Sequence, residues 1–155
     1  MPADPPKTPL GKLSPLGKLS IVVFSGAFEK IHYALVLASG WAAVGQPVTL
    51  FFTMEATRAL AAPRDGGPPA WRALPAEGGP DGGTVDDGFA ARQVATFEEL
   101  LTACAALGVT FMVCEMGLRA LDMDPGALRP DIPVTPGGVV TFLRDAEADG
   151  SLLFV

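Results

Sequence analysis

Cysteine and histidine are scarce in this 155-residue chain, which has two cysteines and one histidine. Cys104 and Cys114 do not form a Cys-x-x-Cys pair, so the sequence predicts neither a disulfide framework nor a zinc site. A single histidine is also too few for most metal centres. We therefore predict no metal, and we interpret both cysteines as reduced thiols.

Basic residues are also few, with 11 lysines and arginines against 17 aspartates and glutamates and a net charge of −6. Nucleic-acid binding needs clustered lysine and arginine that neutralise phosphates, and an anionic membrane surface would repel such a chain. The composition excludes both classes of partner. A small neutral molecule or another protein fits better.

A long uninterrupted apolar segment is missing as well. The most apolar region, 31–52, contains Gly40, Gly45 and Pro47, so it divides into a helix, a turn and a strand. Prolines occupy the N-terminal region where a secretory signal would have its apolar stretch. We expect a cytoplasmic protein without a membrane segment, in which residues 1–17 form a flexible N-terminal arm.

Short β-branched runs alternate with helical segments through residues 18–155, which we expect to form one domain. The runs are apolar without a polar face, as in strands buried on both sides of a parallel sheet. The pattern predicts a three-layer α/β/α fold with a five-stranded, mainly parallel sheet. The five predicted strands have the sequences LSIVVF, PVTLFFT, VTFMV, IPV and LLFV.

Residues 63–90 contain most of the mid-chain glycine and proline and are predicted as a long loop insertion. A loop of this length is a mobile lid, an arm that packs on a neighbouring subunit, or a tolerated surface insertion. Trp71 and Leu74 within it indicate contact with an apolar surface.

The carboxyl ends of parallel strands converge at one edge of the sheet, where open α/β proteins bind ligands. The loops after the first three strands therefore supply the candidate site. Cys114 is the candidate reactive residue there. The expected rim residues are Ser25, Gly26, Thr53, Glu55, Glu115 and Arg119.

Cys114 has two interpretations at this point. A helix beginning after it would lower the thiol pKa and favour the nucleophilic thiolate, with help from Arg119 and opposition from Glu115. It is equally well explained as a small buried apolar residue. Cys104 shares an apolar helical stripe with Leu100, so an inert, packed thiol is favoured there.

The sequence lacks the motifs of hydrolases and of nucleotide-binding proteins. Ser25 does not lie in Gly-x-Ser-x-Gly, and no phosphate-binding or dinucleotide-binding glycine pattern follows any strand, so no cofactor is predicted. We interpret His32 as a helix-surface or interface residue rather than a catalytic base. Asp122, Asp124 and Asp131 are better explained as caps and turn formers than as an acid and base pair.

Three segments together resemble the DsrE/DsrF-like small sulfur-relay family. They are KLSIVVFSGAFEKIHYALVLASGWAAVGQPVTLFFTMEATRAL, VTFMVCEMGLRALDMDPGAL and GGVVTFLRDAEADGSLLFV. The resemblance implies a five-stranded parallel sheet, homotrimers or homohexamers, and a cysteine after the third strand that carries sulfur as a persulfide. That position is Cys114. Thr110 lies four residues before it, so the Thr-x-x-Cys arrangement of peroxidases is absent.

Two functions remain open. In the first, implied by the resemblance, the protein is a sulfur carrier or sulfurtransferase that accepts sulfane sulfur on Cys114 and passes it to a protein or small thiol. In the second, it is a non-catalytic oligomeric binding protein in which Cys114 is structural. Exposure of the Cys114 sulfur separates them, because sulfur transfer requires an accessible thiolate.

Overall fold

The computed structural model describes residues 16–155. Its strands are β1 (Leu19–Val23), β2 (Val48–Phe52), β3 (Thr110–Cys114), β4 (Val134–Gly137) and β5 (Ser151–Phe154). Its α-helices are α1 (Phe28–Ala43), α2 (Gly82–Ala91), α3 (Phe97–Ala106), α4 (Glu115–Ala120) and α5 (Val139–Asp145). Short 3₁₀ helices cover Met54–Leu60, Ala70–Ala73 and Pro125–Ala127.

The five strands form one sheet in the order β4-β3-β2-β1-β5, and every pair is parallel. The chain steps from β1 to β4 in one direction and then returns across the sheet to β5. Right-handed crossovers place the helices of the first steps on one face and the helix of the return step, α5, on the other. The predicted three-layer α/β/α class is confirmed.

The first face of the sheet carries the main core. Leu19, Ile21 and Val23 of β1 point to this face and are almost completely buried, as are the alternate residues of β2 and β3. Helices α1 and α3 pack over them. Thr96 and Glu99 form a reciprocal capping box that starts α3.

The second face has a thinner cover. Within residues 16–155, α5 is the helix that packs on it, and Phe142 is its buried side chain. The Phe142 ring stacks on Phe51 with centroids 4.7 Å apart, and the Asp145 carboxylate accepts a hydrogen bond from Thr49 Oγ1 at 2.7 Å. One seven-residue helix therefore shields this side of the sheet.

The segment 63–90 is more ordered than a loop. It contains a 3₁₀ helix at Ala70–Ala73 and most of α2. Trp71 is 2% exposed and belongs to the main core, which confirms the expected apolar contact. Asp81 caps α2 by accepting the Thr84 N–H at 2.8 Å. This helix is not predicted from the sequence, because the segment is rich in glycine and glycine has a low helix propensity.

The sequence pattern also predicts a helix in MEATRALAA after β2 and a helix in GGVVTFLRDAEADG with Pro136 and Gly137 at its start. The first is a 3₁₀ helix, and the second, α5, ends at Asp145. Pro136 and Gly137 lie in β4. Residues 1–15 of the predicted arm lie outside the described residues. Gly17 belongs to the domain, because its carbonyl accepts a hydrogen bond from Trp41 Nε1 at 2.9 Å.

Candidate functional site

A cleft of about 640 Å³ lies at the carboxyl edge of the sheet, where β1, β2 and β5 end. Its volume is within the range of small-molecule sites. Ser25, Gly26 and Glu55 line it, as the topology predicts. The other lining residues are Phe24, Lys30, Met54, Phe154 and Val155.

Gly26 allows the loop before α1 to approach the 3₁₀ helix after β2. A Cβ atom at Gly26 would lie 2.8 Å from the Cβ of Glu55, closer than two such atoms can approach. The glycine therefore sets the width of the cleft at this point.

Met54 follows β2 with a φ of +48°, a left-handed conformation that is strained for a residue with a long side chain. Gly117 of α4 packs against its backbone, because a Cβ at Gly117 would lie 2.7 Å from the Met54 nitrogen. Strained backbone is frequent at binding sites, where the surrounding structure holds it. Here the conformation directs the chain so that the residues after β2 form one wall of the cleft.

The cleft is mostly apolar with two opposite charges. Phe24 and Phe154 form an aromatic wall, with ring centroids 5.3 Å apart. Glu55 accepts a hydrogen bond from Arg58 Nε at 2.6 Å, and this pair is exposed, so it contributes little to stability. The Lys30 ammonium has no ion pair among residues 16–155.

The remaining predicted rim residues do not line the cleft. Thr53 is buried beneath α4, close to Gly117. Glu115 and Arg119 are exposed on α4. The topology brings all of them to the carboxyl edge, but α4 packs away from the cleft between β1 and β5.

Cys114 lies at the end of β3 but is 3% exposed. It belongs to the small core on the second face together with Phe51, Met112 and Phe142. It lines neither the cleft nor another described cavity. The helix that begins after it, α4, has six residues.

Cys104 is a packed thiol, in agreement with its apolar stripe. It is fully buried in the main core, and its Sγ–H donates a hydrogen bond to the Leu35 carbonyl at 3.6 Å. Burial raises the pKa of the Cys104 thiol to about 12. A neutral, inaccessible thiol has no role in catalysis.

The expectation of a surface position for His32 is wrong. The residue is 5% exposed, and its ring contacts the rings of Phe28 and Phe89. Nε2 donates a hydrogen bond to the Ala95 carbonyl at 2.8 Å, which fixes the proton on that nitrogen. His32 therefore joins α1 to the chain between α2 and α3.

The sequence reasoning missed Phe24, Lys30 and Phe154 as site residues. Lys30 lies in the first turn of α1, four residues after Gly26, so helical spacing could have indicated it. Phe154 reaches the cleft only because β5 pairs with β1, with Phe154 opposite Val22. Strand order is not encoded in the local pattern, so this contact had no sequence signal.

Neither metal-binding clusters nor membrane-spanning helices occur in the part of the chain that the structure describes. No group of three or more histidine, cysteine, aspartate or glutamate side chains converges within residues 16–155. No helix in this range is long and apolar enough to cross a membrane.

The fold is similar to that of a solved protein of unknown function. It is protein MTH1491 from Methanobacterium thermoautotrophicum, with a TM-score of 0.56 and 14% sequence identity, over 89% of this chain and 98% of that one. At this identity the similarity supports the fold alone. No protein-family model matches the chain, and no curated protein is similar to it.

Proposed function

We propose that this protein is a non-catalytic binding protein in which Cys114 is structural. The observation that supports it is the burial of Cys114, which is 3% exposed and packs against Phe142. A sulfur carrier needs a thiolate that a donor persulfide can reach. Both described thiols are buried and free, a state that fits the reducing cytoplasm.

The cleft at the carboxyl edge is the proposed binding site. Phe24, Phe154 and Met54 provide apolar walls, while the Lys30 ammonium and the Glu55 carboxylate lie among them. Apolar walls with a few polar groups are typical of small-molecule sites. We infer a small, mainly apolar ligand, because apolar side chains form most of the wall. Glu55 is already paired with Arg58, so Lys30 is the charged group available to a polar part of the ligand.

Phe154→Asp should abolish binding of Nile red, an uncharged fluorescent probe, because the change puts a carboxylate in the aromatic wall of the cleft. Leu152→Asp is the matched control. It lies on the same strand and the same face, and it is similarly exposed, but it does not line the cleft. A fluorescence titration should give a Kd at least about tenfold weaker for Phe154→Asp and an unchanged one for Leu152→Asp.

Two results would contradict a ligand site in this cleft. One is an absence of saturable Nile red binding to the wild-type protein. The other is an equal loss of affinity in the two variants, since that would place the probe on the exposed surface of β5 rather than in the cleft.

We also propose that the protein assembles with further copies of itself through α5. Three large apolar side chains of this helix are at least half exposed: Val139, Val140 and Leu143. The β5 strand is an edge of the sheet and pairs only with β1 among the described strands. Exposed apolar surface at an unprotected edge is typical of an assembly interface.

Leu143→Asp should shift the protein from a trimer or hexamer to a monomer, because it places a charge within this apolar surface. Light scattering after size-exclusion chromatography measures the mass directly. Leu107→Asp is the control, since Leu107 is also exposed but ends α3 on the opposite side of the sheet. A wild-type mass equal to that of one chain would disprove assembly through α5.

The second candidate function is sulfur carriage on Cys114. Its position at the carboxyl end of β3 favours it, as does the resemblance to DsrE/DsrF-like proteins, and one short helix covers the thiol. The Cys114 thiolate would attack the sulfane sulfur of a donor persulfide. A Cys114 persulfide would form, and the donor would leave as a thiolate. This function requires α5 to move away from the second face.

A further inference from the structure

A second cleft, of about 670 Å³, lies beside the 3₁₀ helix Met54–Leu60 and the segment 63–90. It shares no lining residue with the carboxyl-edge cleft. Three arginines line it: Arg58, Arg64 and Arg72. They are three of only 11 basic residues in a chain with a net charge of −6.

Carboxylates near this cleft pair with two of its three arginines. Among its described lining residues, Asp81 is the acidic one, and its side chain accepts the Thr84 N–H at the start of α2. Glu55 and Asp87 lie outside the lining, and they form ion pairs with Arg58 and Arg72. Arg64 is therefore the lining arginine whose charge no carboxylate within residues 16–155 pairs with.

The three guanidinium groups differ in the donors that they have available. Arg72 donates both terminal nitrogens to Asp87, at 3.2 and 2.9 Å, and lies over the Trp71 ring. Arg58 donates Nε to Glu55. Arg64 has neither an ion pair nor a side-chain hydrogen bond with any residue in 16–155, including its neighbour Asp65. Arg64 thus offers a complete planar set of donors.

Apolar groups form the rest of the wall. Pro68, Pro69, Leu74 and Met123 are among the lining residues, and the two prolines restrict the backbone conformation there. Arginine donors beside an apolar wall recognise an anionic group attached to an apolar body, because guanidinium groups bind carboxylate and phosphate in a bidentate manner.

We propose that this cleft binds a small organic anion, a carboxylate or a phosphate ester with an apolar body, and that Arg64 is its main anchor. The ligand's apolar part would rest on Pro68, Pro69 and Met123, and the ion-paired Arg58 and Arg72 would border it. This site is independent of the proposed ligand at the carboxyl edge.

Isothermal titration calorimetry with four probes tests the proposal. Phenyl phosphate and benzoate combine charge with an apolar ring, inorganic phosphate provides charge alone, and benzyl alcohol provides the ring alone. At least one of the two organic anions should bind saturably, and inorganic phosphate and benzyl alcohol should bind at least about tenfold more weakly. Which organic anion binds more tightly identifies the carboxylate or the phosphate ester as the preferred group.

Arg64→Met should weaken the binding of that organic anion about tenfold or more, because it removes charged hydrogen bonds and keeps a long side chain. Arg64→Lys should give an intermediate loss. Arg92→Met is the control with the same change in charge at an exposed arginine outside the cleft. The proposal is overturned if neither organic anion binds saturably, if inorganic phosphate or benzyl alcohol binds as tightly as they do, or if Arg64→Met and Arg92→Met behave alike.

Discussion

Phe142→Ala should make Cys114 react at least about tenfold faster with iodoacetamide. The thiol reacts when α5 opens, and each 1.4 kcal/mol by which the free energy of opening falls raises the open population about tenfold. Phe142 is completely buried and stacks on Phe51, and it is the buried side chain of α5. Removing a buried phenylalanine ring costs about 3–5 kcal/mol, enough to detach a short helix with few other contacts. Peptide mass spectrometry after timed labelling measures the rate at each cysteine.

Cys104 is the internal control for this measurement. It lies in the main core on the opposite face, with a thiol pKa raised by burial to about 12, so it should stay unlabelled while the fold persists. Labelling of both cysteines would indicate global unfolding. Phe142→Leu keeps most of the apolar volume and should show a smaller increase. Equal labelling of Cys114 in the wild type and in Phe142→Ala would show that α5 does not protect the thiol.

The same pair of proteins distinguishes the two candidate functions. After incubation with a persulfide donor, the native wild-type protein should gain no sulfur at Cys114, whereas Phe142→Ala should gain one sulfur atom. A wild-type protein that does gain sulfur at Cys114, with Cys114→Ala as the negative control, would favour sulfur carriage. It would also show that α5 moves on the timescale of the reaction.

The fold class was predictable because β1, β2 and β3 are mostly apolar runs and each is followed by a helical segment. The location of the site followed from topology, which explains why Ser25, Gly26 and Glu55 were found. The environment of Cys114 was not predictable. Side chains alternate between the two faces of a strand, and the sequence does not show which helix covers each face.

The order of the strands explains the other failures. The placement of β5 beside β1 brings Phe154 to the cleft and forces α5 to cross the second face. His32 was assigned to the surface because its contacts, Phe89 and the Ala95 carbonyl, lie more than 50 residues away in the chain. Contacts at this separation leave no periodic signal in a single sequence.

Trp71→Ala should lower the free energy of unfolding by about 3–5 kcal/mol, the usual cost of removing a large buried ring. The indole stacks on Phe97 with centroids 4.6 Å apart, and Nε1 donates a hydrogen bond to Glu98 Oε1 at 2.7 Å. Trp71 therefore joins segment 63–90 to the main core, together with Leu74 and Val85. Urea unfolding followed by circular dichroism measures the change, and a loss below about 1 kcal/mol would contradict this role.

Trp71→Phe keeps an aromatic ring but removes the indole hydrogen-bond donor. The change should also alter how the stability of the protein depends on pH in acid. Burial raises the pKa of the Glu98 carboxyl, but hydrogen bonds from Arg129 and Trp71 outweigh it, so the net pKa lies below its ordinary value of 4.5. A carboxyl with a lowered folded pKa stabilises the protein above pH 4.5, and this contribution disappears as the pH falls through the folded pKa. Without the indole donor the folded pKa should rise towards 4.5, so Trp71→Phe should lose less stability than the wild type between neutral pH and acid. Parallel curves for the two proteins across that range would show that the indole does not stabilise the Glu98 carboxylate.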